Sequence, residues 1–248
     1  MTFDMGPETW LALGRPHLYS WNADPSYVQR FGRAYTPMMW GCRDRDLAAA
    51  IAWPVRGDYL LFLNEPESRR QANCPPEKAA YYLHALITAR PDLRILVGGV
   101  KKTWSWPAAL GRAYFARYGD YPRVAGIHIH AYTWSQPDAH AHARALIMQI
   151  NGWKVFQDRY PWARGELWVT EVGVLETQRD FAFSQQVMEE VARAFARDPR
   201  VNRLYWFASE GKAGVPNVIW RPTMLIWEGE RTPLWDTFRR TLETLAVP

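Results

Sequence analysis

Two short stretches of this 248-residue chain drive an apolar run straight into a glutamate: Tyr59-Leu-Leu-Phe-Leu-Asn64-Glu65-Pro66 and Leu167-Trp-Val-Thr170-Glu171-Val-Gly173. Apolar runs of this length read as strands buried on both faces, as in parallel sheets covered by helices. Pro66 stops the first run, because proline has no N–H to give the ladder. Each glutamate therefore falls at the C-terminal end of a buried strand, where desolvation makes a carboxylate costly and raises its pKa. Two carboxyls so placed can divide acid–base and nucleophilic work, one holding a proton while the other stays ionised.

A third run, Val124-Ala-Gly-Ile-His-Ile-His-Ala-Tyr132, alternates strictly. Side chains alternate across a strand, so His128, His130 and Tyr132 share one face, with Ile127, Ile129 and Ala131 on the other. A His-x-His pair can ligate zinc, but no third ligand accompanies it, and His140 and His142 fall on a helix expected to face solvent. No metal is expected, and His128 reads as a satisfied interior histidine. The 14 Trp are a further chemical feature. Trp21, Trp40, Trp104, Trp106, Trp134 and Trp206 stand at or just beyond strand ends, where a flat apolar ring can stack on the C–H face of a sugar.

These groups need a scaffold. Strands are expected at His17–Trp21, Tyr35–Trp40, from Tyr59, at Arg94–Val100, Val124–Tyr132, Leu167–Gly173 and Arg203–Ser209. Helices are expected at Asp46–Trp53, from Pro75 to Pro91, over Pro137–Ile150, through Val187–Phe195, and over Pro233–Leu245. Trp104–Trp106 reads as a loop after the Arg94–Val100 strand. Strand and helix alternate from end to end, the pattern of a parallel sheet. Seven strands are clear, and an eighth is inferred between Trp21 and Tyr35. Because polar groups end at least four different strands, the expected fold is a compact α/β single-domain (β/α)8 TIM barrel over residues 1–248 rather than a doubly wound sheet. No glycine-rich nucleotide loop is present, and no cofactor is expected.

Composition narrows the partners. Hydrophobic content of 48% with 22% charged residues describes a globular chain. No run approaches the roughly 18 apolar residues of a membrane span. The net charge of +5 is carried mostly by Arg, with only five Lys among the 30 basic residues. The charges are scattered, so they read as a solvated surface rather than a nucleic-acid face. The expected partner is an oligosaccharide or polysaccharide, the expected state a monomer. The N terminus shows no signal peptide, which leaves localisation open. Cys42 and Cys74 lack metal-ligand spacing; each follows one of two neighbouring strands, so a disulfide and two free thiols both remain open.

At Asn64-Glu65-Pro66 and Thr170-Glu171 the chain resembles clan A of the glycoside hydrolases, retaining enzymes on a (β/α)8 barrel. The resemblance implies that Glu65, at the end of the fourth strand, is the acid/base and Glu171, at the end of the seventh, the nucleophile. It further implies that Asn64 meets the sugar 2-hydroxyl, that His130 and Tyr132 lie beside the nucleophile, and that Trp206 lies under the cleaved sugar. Trp21, Trp40, Trp104 and Trp134 complete the expected substrate contacts. The stretch from Met224 to Asp236 resembles the clan's closing hairpin and last helix. Within the clan, Thr36-Pro-Met-Met-Trp-Gly, Leu-Leu-Phe-Leu-Asn-Glu-Pro and Leu-Trp-Val-Thr-Glu are most similar to glycoside hydrolase family 128, compact endo-β-1,3-glucanases. That family usually has Gly before Phe-Asn-Glu-Pro and His-Trp-Tyr on the sixth strand, where this chain has Leu-Phe-Leu-Asn-Glu-Pro and His-Ala-Tyr. The implied reaction is double displacement on a β-glucan, with carboxyls roughly 5–5.5 Å apart. The alternatives are a clan A hydrolase for xylan, mannan or cellulose, and a carbohydrate-binding barrel without turnover.

Overall fold

In a computed structural model describing residues 7–14, 16–101, 103–176, 178–211 and 218–245, strands and helices alternate along the chain. The elements are α1 (Pro7–Ala12), β1 (Leu18–Tyr19), α2 (Ser26–Phe31), β2 (Tyr35–Thr36), β3 (Met38–Met39), α3 (Asp44–Ile51), β4 (Tyr59–Phe62), α4 (Pro76–Ala89), β5 (Arg94–Val100) and α5 (Ser105–Tyr118). They continue as β6 (Gly126–Ala131), α6 (Ala139–Arg159), β7 (Glu166–Val172), α7 (Phe181–Phe195), β8 (Arg203–Trp206), β9 (Glu210–Gly211), β10 (Ile226–Trp227), β11 (Glu230–Arg231) and α8 (Pro233–Leu245). Six strands form one sheet in the order β3-β4-β5-β6-β7-β8, β1 pairs with β2, and β9, β10 and β11 make a third, small sheet. The β3–β4, β4–β5 and β5–β6 pairings are parallel. The chain is thus an α/β protein with a six-stranded parallel sheet.

Contacts divide the chain into two compact units, Tyr19–His130 with Trp153–Trp168, and Met1–Leu18 with Ala131–Gly152 and Val169–Pro248. In the first unit, Leu60, Leu61, Phe62, Leu96, Val97 and Ile127 line both faces of the sheet and are essentially fully buried. Near the start of these strands Glu166 gathers three donors: the Tyr59 hydroxyl, Arg94 Nη2 at 2.5 Å and Trp168 Nε1 at 2.7 Å. At the opposite end, β5 bulges. Gly98 pairs with His128 but Val100 with Ile129, leaving Gly99 as the extra residue at φ 61°. A Cβ at Gly99 would stand 2.7 Å from the Leu63 carbonyl oxygen. Only glycine lets β5 approach the chain leaving β4 this closely. A disulfide between Cys42 and Cys74, Cα atoms 5.8 Å apart, ties the segment after β3 to the loop that follows Glu65.

In the second unit, β8 continues from Trp206 into a segment whose Phe207 N–H donates to the Val172 carbonyl at 2.8 Å. β10 and β11 form the antiparallel hairpin expected within Met224–Asp236, turning at Glu228 (φ 53°) and Gly229 (φ 82°). Two positive φ values in succession match the twist a two-residue hairpin needs. Asp180 caps α7 by accepting from the Phe183 N–H at 2.8 Å.

Several expectations are corrected. The Tyr35–Trp40 run is not one strand: Pro37 interrupts the ladder and leaves β2 and β3. No strand lies between Trp21 and Tyr35, where α2 and a 3-10 turn (Gly32–Ala34) stand instead. The segment after Trp104 is not a loop but α5, and α6 runs on past Ile150 to Arg159. Of the two histidines assigned to a solvent-facing helix, His140 is exposed but His142 is fully buried, its ring 5.4 Å from Phe183. Residues two apart on a helix point to nearly opposite sides, so one of the pair had to turn inward.

Candidate active site

Glu65 is buried, 6% exposed, just past the end of β4. The chain turns sharply there, with Leu63 at φ 73° and Glu65 at φ 41°. Positive φ in side-chain-bearing residues is uncommon and concentrates where geometry serves a function. The turn is pinned by backbone bonds: the N–H groups of Leu63, Asn64 and Glu65 donate to the carbonyls of Met39, Trp40 and Gly99 at 2.8, 3.0 and 3.0 Å. So held, Glu65 Oε1 lies 3.1 Å from His130 Nδ1 and 3.8 Å from Lys101 Nζ. The imidazole contact carries one proton, given by His130 to a carboxylate or by a protonated carboxyl to the ring. Beside it, Asn64 Nδ2 donates to Gln71 Oε1 at 3.3 Å, and Asn64 Oδ1 is buried without a partner among the described residues.

Glu171 ends β7 in the other unit and is 4% exposed. The Tyr132 hydroxyl donates to its Oε2 at 2.7 Å. The Tyr132 ring also lies 6.3 Å from Trp134, which is 44% exposed, and edge-on to Phe207 at 6.0 Å. Trp206 is buried, and its indole N–H donates to the Thr223 carbonyl at 2.8 Å. Tyr132, Trp134 and Glu171 are therefore gathered, while Trp206 is anchored on the segment before the hairpin.

The remaining aromatic candidates separate. Trp21 and Trp40 line one cleft of about 450 Å³ with Asn22, Asp24, Arg43 and Asp46. The Arg43 guanidinium covers Trp40 at 5.2 Å and is itself held by Asp46 at 2.6 Å. Trp104 instead packs on Phe156, ring centroids 5.9 Å apart, and Trp106 donates its indole N–H to the Cys74 carbonyl at 2.8 Å. His128 is wholly buried, its Nε2 3.3 Å from the Phe62 carbonyl oxygen. Burial, and then the neighbouring His130, push its pKa down to about 3, so the ring is neutral and donates to that carbonyl.

Sequence reasoning did not single out Lys101, Gln71, Arg43 or Thr223. Lys101 left a faint signal, since two of the chain's five lysines sit side by side immediately after the Arg94–Val100 strand. Thr223 acts through its backbone carbonyl, and Arg43 and Gln71 through side-chain pairings that no hydrophobic periodicity marks.

A family model described as glycosyl hydrolase catalytic core matches residues 14–238. No curated protein matches the sequence. Among solved structures, the chain is similar to a family 128 (subgroup II) endo-β-1,3-glucanase from Sorangium cellulosum, with a TM-score of 0.70 and 21% identity over 97% of each chain. It is similar to a family 128 (subgroup I) endo-β-1,3-glucanase from Amycolatopsis mediterranei in complex with laminaritriose, with a TM-score of 0.70 and 21% identity over 96% of this chain and 95% of that one. A third is a family 128 (subgroup III) curdlan-specific exo-β-1,3-glucanase from Blastomyces gilchristii in complex with glucose, with a TM-score of 0.67 and 19% identity over 89% of this chain and 87% of that one. At these identities the likeness is one of fold.

Proposed function

The chain belongs to the glycosyl hydrolase catalytic core family and is a glycoside hydrolase, and from that premise we propose that it cleaves β-glucan, β-1,3-linked chains first, by endo-acting double displacement. The observation that carries the proposal is that each strand-end glutamate has its own partner, His130 for Glu65 and Tyr132 for Glu171. In this reading Glu171, held by the Tyr132 hydroxyl, attacks the anomeric carbon as the glycosidic C–O bond breaks, and Glu65 gives its proton to the departing oxygen. Glu65, now a carboxylate, then takes a proton from water, whose oxygen displaces Glu171 and restores both residues. Asn64 Oδ1 accepts from the sugar 2-hydroxyl, a bond that strengthens as positive charge develops on the ring. Trp21, Trp40, Trp134 and Trp206 supply the sugar-stacking faces, Trp104 being packed on Phe156, and residues 1–248 act as one (β/α)8 catalytic domain.

Family membership and the fold shared with β-1,3-glucanases support the substrate class. A panel of laminarin, lichenan, cellulose, xylan and mannan, read by new reducing ends and product length, tests it. Laminarin cut first into a ladder of oligosaccharides is the expected result; glucose as the sole early product would make the action exo. Binding to these glycans without cleavage of any would leave a carbohydrate-binding protein.

A further inference from the structure

Lys101 is the first residue after β5, and its ammonium lies 3.8 Å from Glu65 Oε1, the oxygen that also meets His130 Nδ1. Its placement is built in. The Lys101 N–H donates to Glu67 Oε1 at 2.7 Å, and the bulge at Gly99, two residues earlier, accepts from the Glu65 N–H at 3.0 Å. One short bulge therefore holds the carboxyl and the ammonium against each other. The Lys101 side chain is 24% exposed and that of Glu65 8%, so solvent screens the pair only in part. A cation at this distance favours the carboxylate, the opposite of what burial does.

We propose that Lys101 is a positioning residue that sets the pH at which Glu65 gives up its proton, holding that titration low enough for one carboxyl to serve as acid in the first step and as base in the second. The inference rests on the reading of Glu65 as acid/base. Among the described residues of its unit, His130 from β6 and Lys101 from the end of β5 lie against Glu65, and Glu67 follows two residues later in the same loop. Glu67 has one oxygen committed to the Lys101 N–H, and His128, two residues before His130, is neutral and adds no charge.

The test is the pH dependence of kcat/KM on soluble laminarin for the wild type, Lys101→Met, Lys101→Gln and Lys101→Arg. The alkaline limb reports loss of the acid's proton. In Lys101→Met and Lys101→Gln it should move up by about one pH unit, the low end of the ~1–3 expected for an opposite charge at this range. Lys101→Arg should keep the wild-type limb. A merely structural lysine would lower the rate at every pH and leave the limb in place, and that outcome overturns the inference. Glu65→Ala, its residual kcat/KM followed on the same laminarin with more enzyme, separates the two levels. If it loses the alkaline limb while the Lys101 variants leave theirs unmoved, the lysine role falls and the acid/base assignment stands. If Glu65→Ala keeps the limb, the assignment falls and the inference falls with it.

Discussion

Tyr132 donates its phenolic proton to Glu171 Oε2 at 2.7 Å, with both side chains buried. A hydrogen bond to a charged group is worth roughly 1.5–3 kcal/mol. Tyr132→Phe removes it without changing shape. The expected outcome is a fall in kcat of roughly 10- to 100-fold, with thermal unfolding little changed. A Tyr132→Phe enzyme as fast as the wild type would mean that the bond does not prepare Glu171 for attack.

The two tryptophan environments predict different failures. Trp40 lines an open cleft, so Trp40→Ala should raise KM for laminari-oligosaccharides by roughly 2- to 10-fold and leave kcat nearly unchanged. Trp104 is packed on Phe156, and Trp104→Ala should lower the melting temperature with a smaller effect on KM. Steady-state kinetics with a thermal scan of each variant check this, and identical behaviour of the two would refute the distinction.

The Cys42–Cys74 disulfide joins residues 32 apart in sequence. Closing a loop of that size removes about 3–4 kcal/mol of unfolded-chain entropy. Replacing both cysteines by serine should therefore lower the melting temperature by on the order of 10 °C for a chain of this length. Reduction of the wild type should reproduce the loss, and an unchanged scan would count against the bond as a stabiliser.

Much of the scaffold was readable because its signals are local. The Arg94–Val100 and Pro233–Leu245 bounds coincide with β5 and α8, and both candidate glutamates sit at strand ends as their apolar runs imply. α5 was missed because Pro107 and Gly111 look like breakers. Pro107 is the helix's third residue, within the first turn, where a proline's missing N–H costs nothing. Gly111 is there for contact, since a Cβ would stand 2.5 Å from Trp162 Nε1. Alternation placed His130 and Tyr132 on one face, but which glutamate each would meet depends on pairings between distant segments. The His130–Glu65 contact and the Lys101 ammonium beside it were illegible for that reason.

His128 makes stability depend on pH. Its pKa is depressed in the folded chain to about 3 from an ordinary 6.5, so the unfolded chain binds a proton that the native one refuses. The stability is fully present above pH 6.5 and is lost progressively as pH falls toward 3, with the slope of one proton. Urea midpoints between pH 7 and 4.5 should fall for the wild type and fall less steeply for His128→Gln, which keeps a donor for the Phe62 carbonyl. Equal slopes would show that the histidine is not held neutral.

The central claim is that Glu65 and Glu171 have separate tasks, and the anomeric configuration of azide adducts tests it most directly. With an activated aryl β-glucoside, whose leaving group departs without protonation, Glu65→Ala should still form the glycosyl-enzyme and then stall for want of a base, the acid's share being typically ~10²–10⁴-fold on natural substrates. Azide, which needs no base, should intercept that intermediate and give the β-glucosyl azide. In Glu171→Ala no intermediate can form, so azide should attack the substrate directly from the opposite face and give the α-glucosyl azide. Products of opposite configuration are the predicted result; the same configuration from both variants, or full activity in either, would contradict the assignment.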